Sequence, residues 1–309
     1  MQITDENKLE LMTIFVDDMC SIINEELDSI DGLGPGRRSN FKKALAAMLI
    51  DKPQIIFSHI PKNIIPTLED IGFDEQSADT ILSLVSLPEN STTSWWNNYN
   101  FAKKLGDGRG WTVGIFGACS GTGDLVMILE ELQHIDPSHK LCKYIHPMKK
   151  TIGDDMTGLE NLGKDIMLLG DDDKWQQAVW HIYIKIYWAF AKDFADKSGQ
   201  CEKRPGPRLT KNSTRGFILD TAINHGPGIM GITPILRKMK NKSETDEIKW
   251  FLDFCEARRL LLKAGYQNLD SSKTGDRCTL WATIVKSGNL DLKRPITCSR
   301  GYWGSKTIE

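Results

Sequence analysis

Long hydrophobic runs are missing from this 309-residue chain: no segment approaches the roughly 20 consecutive apolar residues that a bilayer-spanning helix needs. A membrane partner is therefore not expected. A basic leader is missing too. The opening MQITDENKLELMTIF begins with acidic residues and continues as an amphipathic pattern, which excludes a secretory signal peptide and points to synthesis in a cytoplasm. Cysteine is sparse, at positions 20, 119, 142, 201, 255, 278 and 298. The number is odd, the spacings are wide and no CxxC occurs, which argues for free thiols and against a disulfide scaffold or a structural zinc site. Six histidines are scattered without ligand-like spacing, so no metal is expected. Nucleotide signatures fail as well. Residues 117–124, GACSGTGD, lack the lysine of a P-loop, and the dinucleotide fingerprint breaks at both Gly108 and Gly121. The serine elbow fails because Ser120 follows Cys119 and Ala118. No organic cofactor is implied. Basic clusters at 202–211 and 237–242 do not interleave aromatics, so they read as solvated surface, and no nucleic-acid partner is expected.

What is present is ordinary for a folded domain: 40% hydrophobic and 26% charged residues, with a formal net charge of −2. The charge is uneven. Residues 1–78 hold seven basic and 14 acidic side chains, a balance of −7, which leaves +5 for the remainder. Leu9, Met12, Val16, Met19, Ile23, Leu27 and Ile30 recur at helical steps, so residues 6–30 read as an amphipathic helix, stopped by the glycines of 31–36. A second helix is expected at 39–50. Residues 1–78 are taken as a helical N-terminal extension and 79–309 as the main domain. In the latter, helices are expected at 78–87, ended by Pro88, at 92–105, at 174–197 behind Asp171 to Asp173, at 213–225 and at 245–264. The glycine-dense stretch 106–124 suggests short strands and tight turns, and the tail from 280 ends in short extended pieces.

Two carboxylates stand out. Glu89 follows a helix end in PENS, and Asp107 sits in the turn GDGRG, eighteen residues on. Unpaired carbonyls at the helix end and apolar neighbours such as Leu87 and Trp95 favour a protonated Glu89. A solvated turn beside Arg109 favours an ionised Asp107. Two acids pushed apart in this way suit the general acid and general base of glycoside hydrolysis. The same residues also fit a solvated loop glutamate and an aspartate bonding its own turn.

The stretch ENSTTSWWNNYNFAKKLGDGRGWTVGIFGACSGTGD, residues 89–124, resembles the core of the glycoside hydrolase family 46 chitosanases. NHGPG at 224–228 and KSGNLDLKRPI at 286–296 resemble further segments of that family in the same order, so the likeness covers roughly 78–297. It implies an α+β, mainly helical, two-lobed lysozyme-like fold with a small sheet beside a cleft. It implies endo-acting, inverting cleavage of the β-1,4 bonds of chitosan or a related wall polysaccharide, with no cofactor. By position, Glu89 resembles the general acid, Asp107 the base, and Thr112 a threonine that holds the attacking water. Asp124 matches a carboxylate that recognises a glucosamine ammonium, and Ser91, Arg109 and His225 match cleft-lining positions. Asp220, with Arg258 and Arg277, matches a structural ion network. Independently, position 258 falls on the apolar face marked by Ile248, Phe251, Cys255 and Leu262, and a core-facing arginine needs a buried acid. The family includes chitosanases of large algal viruses. With a leaderless N-terminus, this implies synthesis in an infected host and action on its wall after release. Two alternatives stay open at this point: a hydrolase of another wall polymer (partly acetylated chitin or peptidoglycan), and a non-catalytic glycan-binding protein.

Overall fold

The structure, a computed structural model, describes residues 59–199, 205–265, 271–299 and 301–309, without the side chains of Ile229 and residues 271–275. The helices expected at 6–30 and 39–50, and most of the extension 1–78, lie outside the described residues.

Helices α1 (Ile65–Asp70) and α2 (Glu75–Asn90) come first. A 3₁₀ turn at Trp95–Asn98 leads into an antiparallel sheet of β1 (Ala102–Lys104), β2 (Trp111–Val113) and β3 (Ala118–Cys119), in that spatial order. Then follow α3 (Asp124–Ile135), a 3₁₀ turn at Lys140–Tyr144, α4 (Ile145–Met148) and α5 (Leu162–Leu169). Helices α6 (Asp173–Tyr183) and α7 (Ala189–Lys197) are joined by a π-helical segment, Ile184–Trp188. The rest is α8 (Asn212–His225), α9 (Ile229–Lys238), α10 (Glu247–Lys263), α11 (Ser271–Lys286) and a hairpin of β4 (Ile296–Cys298) and β5 (Lys306–Ile308). The architecture is α+β and mainly helical, with a small sheet, as expected. Among the described residues no helix is long and apolar enough to cross a membrane.

Local chemistry sets several boundaries. Asp74 caps α2 by accepting from Ser77 N at 2.9 Å, and Asp172 caps α6 by accepting from Lys174 N and Trp175 N. Two expectations fail. Helix α2 does not stop at Leu87 but runs on to Asn90 with Pro88 inside it. Proline removes one backbone donor and crowds the preceding turn. At the last turn that loss is tolerated, because Ser91 takes the left-handed conformation at φ +59° and its N–H closes the helix on Leu87 O at 2.9 Å. The helix expected at 92–105 is replaced by the 3₁₀ turn and β1. Strand β1 owes its form to a partner, pairing Ala102 with Val113, Lys103 with Thr112 and Lys104 with Trp111. The division at 78/79 would also cut α2. Ile60, Ile64, Leu68 and Phe73 are buried in the same core as Leu82 and Leu84, so the body holding the sheet starts ahead of α1.

Tryptophan dominates the core. Trp95 meets Trp180 edge-on at 5.8 Å, and Trp175 and Trp180 donate their indole N–H groups to the carbonyl and hydroxyl of Tyr99. The aromatic text of 174–197 is thus packing, and it fixes the 3₁₀ turn that leads into the sheet. Helix α8 is buried from Ser213 to Ala222 on nearly every side, as befits a central helix. Its Gly216 allows a close approach: a Cβ there would lie 2.8 Å from Ile81 and 2.9 Å from the Trp281 ring. The end of α8 is thereby held near the end of α2.

Candidate active site

A cleft of about 300 Å³ is lined by Glu89 and Asn90 from the end of α2, by Arg109 and Thr112 around β2, by Asp124 from the first turn of α3, and by Tyr187 from the π-helical segment. Phe101, Leu105, Phe116 and Asn224 complete much of its wall. Residues from both ends of the 89–124 stretch therefore share one surface with the end of α8.

Glu89 is about a third exposed and is ion-paired with Arg277, whose Nη2 donates to its Oε1. This differs from the apolar setting expected from Leu87 and Trp95. Both of those are buried, but the Trp95 indole donates to Asp79 instead. Behind Glu89 the charges continue inward. Arg277 Nε stands 3.6 Å from Asp220 Oδ1, and Asp220 Oδ2 accepts from Arg258 Nη1 at 2.5 Å. Arg258 Nη2 also reaches Asn224 Oδ1 at 3.1 Å, and its guanidinium lies over the Phe217 ring. Asp220 and Arg258 are fully buried. Burial opposes the charge on Arg277, but Asp220 and Glu89 outweigh it and push its pKa up. Such pairing is what burial of these charges requires.

Asp107 occupies the turn between β1 and β2. Gly106, Gly108 and Gly110 there take φ of +73°, +78° and +77°. Glycine at 110 is also forced by space, since a Cβ would fall 2.3 Å from Ser120 Oγ. Arg109 holds both carboxylate oxygens: its backbone N–H donates to Oδ1 at 3.1 Å, and Nε and Nη2 donate to Oδ2 at 2.9 and 2.6 Å. The side-chain bonds from Arg109 lower the Asp107 pKa, while slight desolvation opposes them. Asp107 is not itself part of the cleft lining; Arg109, which grips it, is.

Thr112 is 6% exposed and faces Cys119 across β2 and β3, with Oγ1 3.6 Å from Sγ. Burial raises the Cys119 pKa. Asp124 opens α3, where a carboxylate is favoured by the helix dipole, and its Oδ1 accepts from Cys119 N at 3.0 Å and from Thr122 Oγ1 at 2.6 Å. Ser91 and His225, also expected in the cleft, adjoin its lining residues Asn90 and Asn224 without being part of that lining. Ser91 is the exposed cap of α2, and His225 is 5% exposed at the end of α8. Burial, reinforced by Arg258 and Arg277, drives the His225 pKa down to about 2, so this ring stays neutral.

Tyr187 is not expected at the site from sequence, and Asn224 enters there only as the first residue of NHGPG. Tyr187 sits on the π-helical segment, a feature frequent at functional sites. Burial, then Asp124, Cys119 and Glu89, raise its pKa, so its hydroxyl keeps its proton. Among the described residues no group of three or more His, Cys, Asp or Glu could hold a metal ion. The five described cysteines, Cys119, Cys142, Cys255, Cys278 and Cys298, are unbridged.

The sequence model of Glycosyl hydrolase family 46 matches residues 83–296. A chitosanase from a Streptomyces strain is 30% identical over 234 residues, which cover 72% of this chain and 79% of that protein. One from a Nocardioides strain is 28% identical over 273 residues, covering 82% and 92%. Among solved structures, native chitosanase from Bacillus subtilis superposes with a TM-score of 0.67 at 24% identity, over 77% of this chain and all of that one. At that identity the likeness concerns the fold.

Proposed function

The chain belongs to glycosyl hydrolase family 46, and from that footing we propose that it is an endo-acting chitosanase that cleaves the β-1,4 bonds of a glucosamine polymer with inversion. In this reading Glu89 is the general acid and Asp107 the general base. The observation that carries it is the shared cleft: Glu89, Thr112 and Asp124 line one surface with Arg109, the partner of Asp107. Support for the substrate comes from the relatives, which are named chitosanases, and from a Gynuella sunshinyii family member solved with chitotetraose at a TM-score of 0.65.

The chemistry follows from the two carboxylate settings. To donate a proton to the glycosidic oxygen, Glu89 must hold one, and its contact with Arg277 must loosen. Asp220 faces the same guanidinium, 3.6 Å from its Nε. Asp107, held ionised by Arg109, takes a proton from a water that attacks the opposite face of the sugar. Inversion needs room for that water, with carboxyl groups about 6.5–9.5 Å apart. Thr112, on the neighbouring strand, fixes the water. Asp124 offers a carboxylate to a glucosamine ammonium group. The +5 balance of residues 79–309 repels a cationic polymer, so attraction must come from carboxylates concentrated in the cleft. Arg258, Asp220 and Arg277 act behind the site as its structural support.

The test is Glu89→Gln, which keeps an oxygen for Arg277. Reducing-end release from chitosan should fall by at least about a hundredfold with the circular dichroism spectrum unchanged. Turnover near that of the wild type would remove Glu89 from the acid role. Proton NMR of freshly formed products should show the α-anomer first; β-anomer first would contradict inversion.

A further inference from the structure

Tyr302 lies in the turn between β4 and β5, beyond residue 296, where the family match ends. It is nonetheless joined to the last turn of α2, whose Glu89 and Asn90 line the cleft. Its hydroxyl donates to the carbonyl of Pro88, the residue before Glu89. The hairpin is tied to the same helix a second time. Arg294 Nη2 pairs with Asp79 and its Nε donates to Thr80 Oγ1 at 2.8 Å, while its Nη1 reaches Glu309 O at 2.9 Å. Strands β4 and β5 pair from Ile296 with Ile308 to Cys298 with Lys306, and those two isoleucines are buried. The turn is packed as well. Trp303, 6% exposed, meets Tyr302 edge-on at 5.2 Å, and a Cβ on Gly301 would fall 2.2 Å from the Trp303 ring.

Within this fixed frame Tyr302 is 42% exposed, the only exposed Phe, Tyr or Trp among the described residues. An aromatic ring this open, one residue from the helix end that lines the cleft, needs a reason. The polymer in that cleft supplies one. Each glucosamine ring carries a face of C–H groups that pack on an aromatic surface, and an ammonium that is drawn to the electron-rich face of a ring. A ring already anchored at its hydroxyl and flanked by Trp303 gives up little freedom on binding.

We propose that the exposed face of Tyr302 is a sugar-binding platform, a subsite of this chain's own for a glucosamine unit of the polymer passing Glu89. The proposal rests on the chitosan reading above and adds to it a residue outside the family match. It is distinct from a brace acting through the Pro88 hydrogen bond, and the two roles separate by substitution. Tyr302→Phe keeps the ring and loses the hydroxyl; Tyr302→Leu keeps apolar bulk and loses the ring.

In the full-length chain, Tyr302→Leu should raise KM for long chitosan roughly three- to tenfold with little change in kcat, while Tyr302→Phe should stay within about twofold of the wild type. Melting temperatures control for folding, with Tyr302→Met as the substitute should Leu melt early. Unchanged KM in the Leu variant would overturn the platform. So would an equal loss in the Phe variant, which would hand the effect to the hydrogen bond on Pro88. Binding of a glucosamine hexamer to the Glu89→Gln protein, with and without Tyr302→Leu, reads the platform without turnover. Failure of the catalytic reading and failure of the platform are thereby distinguishable.

Discussion

Each proposed catalytic carboxylate is gripped by an arginine, yet the two grips belong to different parts of the molecule. Arg277 is 2% exposed and passes the charge of Glu89 inward to Asp220 and Arg258, both fully buried. Arg109 is about half exposed and holds Asp107 within a turn of five residues, with its own backbone N–H as the second anchor. The acid is therefore located by the packing of α2, α8, α10 and α11, and the base by glycines that let one short turn close. Identical chemistry has unequal worth in the two places. A buried ion pair is costly to leave half-broken, whereas an exposed pair contributes little to stability.

The contrast can be broken most directly at its interior end. Asp220→Ala leaves Arg258 and Arg277 without their shared carboxylate, and urea denaturation should show a loss of about 3–5 kcal/mol. A change below about 1 kcal/mol would put the interior network on the same footing as the surface pair. His225 sharpens the same side through pH. In the unfolded chain it takes up a proton below about pH 6.5, whereas the native ring refuses one down to about pH 2. The group thus lowers stability as pH falls through that window and has no effect above it. The slope approaches about 1.4 kcal/mol per pH unit at most. His225→Gln should flatten the acid side of a melting-temperature profile; an unaltered profile would mean that the ring titrates normally. The smallest effect on stability is expected at Arg109→Ala, below about 1 kcal/mol. Its signature is kinetic. Without the bonds that lower the Asp107 pKa, the acidic limb of the pH–rate profile should move to higher pH. A limb that stays in place would separate Asp107 from the base role.

The same division governs what could be read from sequence. The base side is local: GDGRG places an aspartate two residues from an arginine among glycines, and the turn, the strand after it and the Asp107–Arg109 contact follow from that text. The helical periodicity of 245–264 likewise puts position 258 on an apolar face, and the Arg258 side chain is fully buried. The partner of Glu89 is not legible because its neighbours in sequence, Leu87 and Trp95, are apolar, while Arg277 arrives from a distant helix. Strand β1 was read as helix because AKK has no strand character until WTV pairs with it. Tyr187 escaped because the π-helical segment interrupts α6 and α7 without disturbing their aromatic pattern. Pro88 was given too much weight as a stop signal, since its cost depends on how many turns follow.

The contact between Glu89 and Arg277 spans 188 positions of chain, whereas that between Asp107 and Arg109 spans two. Closing the long loop carries an entropic penalty that only extensive packing recovers. A chain still collapsing can therefore shape its base while the acid has no seat. If the two carboxylates act as proposed, activity would wait on the contact that closes last, and a refolding experiment should recover hydrolysis no earlier than the buried network.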